Sequence, residues 1–344
     1  MIGRGFNRLR RAGRVIFTGR VQPVNKREIP PITGEEVAEL RQFFPMQKFF
    51  IFGHARSGTT LLARLVRQHP DVHCNWQAHF FSRPPLLSGM LAGKEFEDWL
   101  ARRSNRWNHG RDLSPVALRA MSDYIMEREA VQEGKTVVGD KSPNVLLGGR
   151  AIREAHRIYP DASVIYIVRD GRDTMISHRF QNFIDGAQFL SQADLRLRDA
   201  FAKDPAPFLA GDRSIFTRPA LQRMAKSWAD NVTDTHHLGR LLYESRYYAL
   251  RYEDLLVRPY EMLARVWSLL GVEPRGLEDR VAAEMGRNPD ADWQQQKSPE
   301  LASALDKGRE GSWREMFTAQ DKAIFKELAN PALLAWGYED KPDW

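Results

Sequence analysis

Residues 49–70 have the sequence FFIFGHARSGTTLLARLVRQHP, which combines three patterns typical of an α/β protein. An apolar run predicts a buried strand, a turn of small residues follows it, and apolar residues at helical spacing come next. Within this stretch, residues 53–60 come close to the phosphate-binding pattern G-x-x-x-x-G-K-[ST], but Thr59 stands where the pattern has lysine. The stretch therefore predicts a strand, an anion-binding turn and a helix, without the lysine that contacts a triphosphate.

Strand-like and helix-like segments alternate along the rest of the chain. The predicted strands are residues 48–53, 72–74, 136–139, 163–168 and 247–251. The main predicted helices are residues 59–69, 144–159, 171–180, 219–244 and 259–270. This alternation predicts an α/β fold with a single domain, in which helices flank a central, mostly parallel sheet. Residues 182–218 have a mixed composition and are predicted to be an insertion.

The composition is that of an ordinary globular protein, with 42% hydrophobic and 28% charged residues in 344. No apolar run is long enough to span a bilayer, so no transmembrane helix is expected. Cys74 is the only cysteine, which excludes an intramolecular disulfide and a cysteine-rich zinc site. The nine histidines show no H-E-x-x-H pattern. We therefore expect no metal, and the cysteine usage favours a cytoplasmic location.

The net charge of +7 is concentrated at the amino terminus. Residues 1–27 contain eight of the 51 basic residues and none of the 44 acidic ones, so the remaining chain is nearly neutral. This balance argues against a nucleic-acid-binding face on the folded part. Residues 1–45 are predicted to be a basic tail and lead-in. The tail is compatible with a peripheral contact to anionic lipid or a partner, and equally with a solvated segment.

The turn at residues 53–60 is rich in hydrogen-bond donors. Gly58 permits a sharp bend, so that backbone N–H groups converge at a helix N-terminus, where the helix dipole also favours an anion. Arg56 adds a positive charge, and three neighbours add hydroxyl groups, namely Ser57, Thr59 and Thr60. The missing lysine argues against a nucleoside triphosphatase. The turn predicts an anion site of another kind.

A second strand-turn-helix segment, SVIYIVRDGRDTMISH at residues 163–178, carries matching chemistry. Arg169 follows the predicted strand, and Ser177 lies eight residues later on the predicted helix. The carboxyl ends of parallel strands lie at one edge of a sheet, so Arg169 is expected to approach the same crevice as Arg56. The alternative is a structural ion pair between Arg169 and Asp170 or Asp173.

The two segments RSGTTLL and VRDGRDTMIS together resemble the sulfotransferases that use 3′-phosphoadenosine 5′-phosphosulfate (PAPS), in particular tyrosylprotein, heparan and bacterial types. The resemblance runs from about residue 48 to residue 336. It implies that residues 56–60 cradle the 5′-phosphosulfate and that Arg169 and Ser177 hold the 3′-phosphate. It also implies a sulfotransferase domain over residues 46–344, PAPS as the sulfuryl donor and no metal. The missing lysine then reflects a phosphosulfate in place of a triphosphate.

Three further segments extend the resemblance. GDKSP at residues 139–143 is similar to the segment whose lysine, here Lys141, contacts the sulfonate, and Arg56 is similar to a basic catalytic residue of the loop. RYEDLL at residues 251–256 is similar to a segment whose tyrosine, here Tyr252, lies near the nucleotide. DKGREGSWREMFT at residues 306–318 resembles a late segment that closes over the 3′-phosphate. The residues implied there are Lys307, Gly308 and, in place of the usual arginine at Asp306, Arg309.

The general base is expected in CNWQAHFF at residues 74–81. Gln77 occupies a position where the heparan and tyrosylprotein types have glutamate, and His79 falls on a histidine of the heparan-type pattern. On a strand, residues 77 and 79 would share one face, so Gln77 is predicted to orient the acceptor while His79 takes its proton. The alternative for His79 is a packed core histidine, and Asp140 or His54 would then be the next candidates.

The acceptor is not defined by any motif. Residues 80–133 and 182–218 are expected to shape its pocket, and their aromatic residues suggest an apolar or amphipathic acceptor, although aromatics are usually core. Three functions remain open at this point: a PAPS-dependent sulfotransferase acting on a hydroxyl or amine, a P-loop kinase or NTPase, and a non-catalytic protein that binds PAP, the desulfonated product.

Overall fold

Five strands form one sheet in which every pairing is parallel. The computed structural model describes residues 27–82, 86–144, 146–287, 295–302 and 310–344. The strands are β1 Gln47–Gly53, β2 Val72–Trp76, β3 Val137–Lys141, β4 Ser163–Val168 and β5 Tyr247–Arg251. Their order is β2-β3-β1-β4-β5, so the strand that leads into the anion-binding turn lies at the centre. The predicted α/β fold with a parallel sheet is confirmed.

Helices of very different length connect and cover the strands. The shorter or more peripheral ones are α1 Gly34–Arg41, α3 Leu86–Leu91, α4 Lys94–Leu100, α8 Gln192–Lys203, α9 Ala206–Leu209, α11 Tyr252–Val257, α13 Glu278–Met285, α14 Pro299–Ala302 and α15 Trp313–Met316. The helices that pack on the sheet or on each other are α2 Thr59–Val66, α5 Ser114–Gln132, α6 Arg150–Ile158, α7 Gly171–Asp185, α10 Arg218–Tyr243, α12 Pro259–Leu269 and α16 Ala319–Ala335.

The central strand β1 is buried on both faces, which is why its sequence is continuously apolar rather than alternating. Phe49 and Ile51 belong to a cluster with residues of α2 and α12. Phe50 and Phe52 point the other way, into a larger cluster with residues of α5, α6 and α10. The sheet therefore separates two hydrophobic cores and fixes the turn after Gly53 at its edge.

The helix predicted for residues 144–159 begins only at Arg150. Asn144 instead forms a β-bridge with His54. Gly148 and Gly149 then adopt positive φ angles of 65° and 62°, which interrupts any right-handed helix before them. Asn144 therefore extends the sheet edge beside the anion-binding turn.

Most aromatic residues that were expected to shape an acceptor pocket are part of the core. Within the predicted insertion, the rings of Phe183, Phe201, Phe208 and Phe216 are almost completely buried. Phe183 and Phe201 pack edge to face against Phe180, and Phe208 packs against Phe201. Phe216 packs against Phe317. The insertion contains helical structure of its own, and its predicted role at the acceptor remains a prediction.

Across the part of the chain that the structure describes, no helix combines the length and the apolar character needed to cross a membrane. The basic segment at residues 1–26, which carries most of the tail prediction, lies outside the described residues.

Candidate active site

Two glycines fix the shape of the anion-binding turn. A Cβ atom on Gly53 would lie 2.6 Å from the carbonyl oxygen of Ile167 on the neighbouring strand. Gly58 has a φ of 88°, and a Cβ atom there would lie 2.2 Å from the ring of Tyr252. Only glycine fits both positions, so the turn is held close to β4 and to the tyrosine that the sequence singled out.

The turn presents a buried hydroxyl with nothing to bond to. Ser57 is completely buried, and its Oγ has no hydrogen-bond partner among the described residues. Its backbone N–H donates to the His54 carbonyl at 3.0 Å, which closes the turn just before α2. A buried polar group without a partner is costly, and an anion at the N-terminus of α2 would satisfy it. The turn therefore fits the phosphate group of a nucleotide.

Lys141 supplies from β3 the ammonium that the turn itself lacks. It pairs with Ile51 in the sheet and is completely buried. Its Nζ donates to Thr60 Oγ1 at 3.2 Å and lies 5.2 Å from the centroid of the Trp76 ring. The family resemblance singled out Lys141 in the sequence, and the structure brings it into contact with the turn.

The second predicted cluster meets the same turn. Arg56, whose φ is 72°, donates from Nε to Ser177 Oγ at 3.2 Å and so joins the turn to α7. The guanidinium carbon of Arg169 lies 4.9 Å from the centroid of the Tyr252 ring, which packs against Gly58. Arg169 and Arg56 thus both lie at this turn, as the sequence predicted.

Asp173 anchors the late segment at this crevice, a role that the sequence analysis missed. Its carboxylate accepts hydrogen bonds from the backbone N–H groups of Gly311 at 2.7 Å and Trp313 at 3.1 Å. Burial raises the pKa of Asp173, and the charge of Arg169 opposes that rise. Asp173 precedes Ser177 by one helical turn, so both face the same way. The residues implied for the 3′-phosphate in this segment, Lys307, Gly308 and Arg309, lie outside the described residues.

The alternative prediction, a structural ion pair of Arg169 with Asp170 or Asp173, is only partly met. The Asp170 carboxylate instead caps α7 and accepts hydrogen bonds from the Arg172 backbone N–H at 2.9 Å and from its side chain at 3.0 Å. Arg169 and Asp173 do interact electrostatically, since the charge of Arg169 opposes the rise in the pKa of Asp173 that burial causes. Asp173 therefore has two functions, one toward Arg169 and one toward the late segment.

The prediction that Gln77 and His79 share the face of a strand is wrong. Strand β2 ends at Trp76, and both residues have a φ of 53°, which is not an extended conformation. The segment bends because its N–H groups are bound by the end of β3: Gln77 donates to the Lys141 carbonyl at 2.8 Å. His79 donates its N–H to Ser142 Oγ at 3.0 Å. Gln77 is exposed and His79 is half-buried.

Asp140 and Ser142 brace this bend from below. Asp140 accepts the Ala78 N–H at 3.0 Å and the Ser142 hydroxyl at 2.5 Å. Burial raises the pKa of Asp140 to about 6, although both hydrogen bonds favour the ionised form. The Nδ1 atom of His79 lies 2.7 Å from Ser82 Oγ, which fixes the orientation of the ring. The pattern D-K-S after a strand was the available sequence signal for this brace.

His54 is the weakest of the candidate bases. Its ring is buried, its Nδ1 lies 3.0 Å from the Ala55 carbonyl, and the His178 ring centroid is 6.4 Å away. Burial lowers the pKa of His54 to about 4, so it attracts a proton only weakly at neutral pH.

The described residues contain no group of three or more His, Cys, Asp and Glu side chains arranged to hold a metal.

The family model described as "Sulfotransferase family" matches residues 48–276 of this chain, which contain the five strands except Gln47. The chain belongs to the sulfotransferase family. The match includes the anion-binding turn, Lys141, Arg169 and Ser177, which are the residues that the structure gathers at one edge of the sheet. The resemblance read from the sequence is thereby confirmed.

Relatives within the sulfotransferase family are distant. Nodulation protein NoeE of Sinorhizobium fredii is 27% identical over 241 residues, which are 66% of this chain and 51% of NoeE. Protein-tyrosine sulfotransferase 1 of Danio rerio is 30% identical over 134 residues, which are 38% of this chain and 35% of that protein. The chain thus spans about half the length of NoeE and about a third of the Danio rerio protein.

Among solved structures, mouse sulfotransferase SULT7A1 complexed with PAP aligns with 87% of this chain and 89% of its own, at 16% identity. The TM-score is 0.46, which is too low to add to the fold derived from the strands above.

Proposed function

We propose that this protein transfers a sulfuryl group from PAPS to a hydroxyl or amine acceptor and releases PAP. The observation that carries the proposal is the convergence on one turn of Lys141, which contacts Thr60, and Arg56, which contacts Ser177. Membership of the sulfotransferase family supports the same reaction. A triphosphatase would have no use for Arg169, which follows β4, or for Ser177 on α7.

The residues of the turn would hold the 5′-phosphosulfate. Ser57 Oγ and the N-terminus of α2 would donate to the phosphate, and Gly58 lets the Tyr252 ring pack against the turn. Arg169 and Ser177 would hold the 3′-phosphate, with the late segment, anchored by Asp173, closing over it. PAPS itself supplies the sulfuryl group and departs as PAP.

Lys141 and Arg56 would stabilise the negative charge that spreads over the transferring group. Sulfuryl transfer, like phosphoryl transfer, depends on in-line positioning and on fixed positive charge at the sulfonate and the bridging oxygen. Lys141 is buried and therefore acts in a site of low polarity, where its charge has the greatest effect. The S–O bond to the phosphate breaks as the acceptor oxygen or nitrogen bonds to sulfur.

His79 would take the proton that the acceptor releases, and Gln77 would orient the acceptor. The exposed position of Gln77 and the ring orientation imposed on His79 by Ser82 support these roles. They no longer rest on a shared strand face. Asp140, buried beneath the same bend, is the second candidate for the base.

The reaction is tested by incubating the protein with sulfur-labelled PAPS and a panel of alcohols, phenols, sugars and amines. We expect a labelled product from at least one acceptor, together with an equal amount of PAP. A protein that binds PAP but transfers no label to any member of the panel would fit the non-catalytic alternative. The acceptor class, which the exposed part of the site does not define, would follow from the same panel.

PAP should stabilise the protein against thermal unfolding without any divalent metal. Lysine, arginine and backbone donors take the place of a cation at this turn, so a chelator should leave the shift unchanged. At a PAP concentration about 100 times its Kd, the stabilisation should be about 2.7 kcal/mol. A thermal-shift series with PAP, PAP plus chelator, and ATP with Mg²⁺ measures this, and loss of the PAP shift with chelator would contradict it.

The substitutions Arg169→Ala and Ser177→Ala should weaken PAP far more than adenosine 5′-phosphosulfate. Only PAP has the 3′-phosphate that these residues would contact, and a hydrogen bond to a charged group is worth roughly 1.5–3 kcal/mol. Calorimetric titration of both nucleotides into each variant measures the difference. Thr33→Ala, which removes the side-chain cap of α1, is the control. Equal losses for both nucleotides would disprove the assignment.

A cytoplasmic location, suggested by the single cysteine, stays a prediction, as does a contact of the basic tail with lipid or a partner.

A further inference from the structure

Two tryptophan side chains lie side by side on the protein surface. Trp99 at the end of α4 is 57% exposed, and Trp107 in the following loop is 48% exposed. Their ring centroids are 5.3 Å apart with an interplanar angle of 32°. Large apolar side chains that cluster in solvent usually mark a contact with a partner or a membrane.

The loop is built to keep Trp107 outside. Its neighbour Asn108 is completely buried and donates from Nδ2 to the carbonyl oxygens of Leu100 at 3.1 Å and Arg102 at 3.3 Å. The Asn108 Oδ1 accepts the Gly110 N–H at 3.0 Å. A polar residue thus occupies the interior while the tryptophan faces solvent. This reversal of the usual preference shows that the exposure of Trp107 is set by specific hydrogen bonds.

The same loop is strongly basic. It exposes four arginines and no acidic residue between Ala101 and Arg111; the arginines are Arg102, Arg103, Arg106 and Arg111. We call these arginines with Trp99 and Trp107 the Trp–Arg surface. Of the carboxylates beside it, Asp98 is paired with Lys94, and Glu97 and Asp112 are paired with Arg27. Glu95 is the remaining exposed carboxylate on α4. The surface therefore keeps a positive balance.

The basic amino-terminal segment joins the molecule at this surface. The described part of the chain begins at Arg27, which bonds to Asp112 and, from Nη1, to Ser114 Oγ at 3.3 Å. The preceding 26 residues contain seven basic residues and no acidic one. The chain therefore enters the described part of the structure beside the Trp–Arg surface.

We propose that the Trp–Arg surface docks this protein on an anionic lipid bilayer. Tryptophan rings favour the interface between hydrocarbon and headgroups, because one part of the ring system is apolar and the N–H needs a polar partner. Arginines around them attract anionic headgroups. Aromatic and basic residues interleaved on an exposed loop fit this planar, negatively charged partner. The inference is independent of the proposed reaction.

The test is flotation of the full chain with vesicles of phosphatidylcholine, and with vesicles of equal parts phosphatidylcholine and phosphatidylserine. We expect binding to the anionic vesicles only, weakened by salt. Trp99→Ala with Trp107→Ala should lower the partition coefficient at least about tenfold. The matched control is Leu241→Ala with Val257→Ala, two exposed apolar residues beside arginines at the β5 edge, which should bind like the wild type.

A series of arginine substitutions tests whether the positive charge of the Trp–Arg surface contributes to binding, and it changes exposed side chains only. Changing Arg102, Arg103 and Arg106 to glutamine should lower binding about fivefold for each charge removed, as expected for a basic residue near an anionic membrane. Changing Arg240, Arg258 and Arg265 to glutamine is the control and should have little effect. If the tryptophan variant misfolds by near-ultraviolet circular dichroism, this series decides.

Two results would overturn the proposal. One is vesicle binding that is unchanged in both the tryptophan and the arginine variants, which would assign any binding to the tail alone. The other is a wild-type chain that does not bind anionic vesicles but binds a soluble oligosaccharide through the two tryptophans. That result would make the surface a carbohydrate-binding site.

Discussion

Replacing Lys141 by alanine should lower kcat by about 10²–10³-fold, the usual cost of removing one preorganised electrostatic contact to a transition state. Lys141 is buried and contacts Thr60 within the anion-binding turn, so its charge would act where negative charge develops. PAP affinity should change much less than turnover, because the product has lost the sulfonate. Turnover is measured with sulfur-labelled PAPS and the acceptor found in the panel, and affinity by calorimetry.

Two controls accompany this variant. Lys226→Ala removes an exposed lysine that pairs with Asp230 on α10, and it should behave like the wild type. Lys141→Arg keeps the charge but not the compact ammonium, and it should recover part of the activity. If Lys141→Ala retained near-normal turnover, the cation at the sulfonate would have to come from Arg56 alone.

Replacing His79 by alanine should lower turnover by about 10²–10⁴-fold, the range for loss of a general base. PAP binding should stay the same, because His79 belongs to the bend after β2 and not to the turn. The matched control is His237→Ala, an exposed histidine on α10. Gln77→Ala should chiefly raise the KM for the acceptor, and Gln77→Glu should leave the protein folded and active.

The pH profile separates His79 from Asp140. A base must lose its proton before it can act, so activity should rise with pH through the pKa of the base. Burial raises the pKa of Asp140 to about 6, so a limb caused by Asp140 would rise through that region and persist in His79→Ala. If His79 is the base, the acidic limb of kcat/KM should disappear in that variant. Turnover that survives in His79→Ala with its limb intact would move the role to Asp140.

The sheet and the nucleotide residues could be predicted because local patterns determine them. A continuous apolar run such as that of β1 implies burial on both faces, and the ends of parallel strands always meet at one edge. That rule brought Arg169 to the turn of Gly58, and the family resemblance singled out Lys141. The β4 bounds, Ser163–Val168, followed from the apolar run between two polar turns.

The bend at Gln77 and His79 could not be predicted, because it depends on long-range contacts. The segment CNWQAHFF reads as one continuing strand, yet its N–H groups are bound by Lys141, Asp140 and Ser142, some 60 residues later. The anchoring role of Asp173 was missed for the same reason, since its hydrogen bonds reach Gly311 and Trp313. Hydrophobic periodicity carries no information about such contacts.

The most direct test of the central claim is a calorimetric comparison of three nucleotides on the wild-type chain: PAP, adenosine 5′-phosphosulfate, and ATP with Mg²⁺. The account predicts that PAP binds most tightly, that its affinity is unchanged by a chelator, and that loss of the 3′-phosphate costs at least about tenfold, equivalent to one charge-assisted hydrogen bond. Tighter binding of ATP with Mg²⁺ than of PAP would contradict the assignment of the turn, Arg169 and Ser177 to a PAPS site.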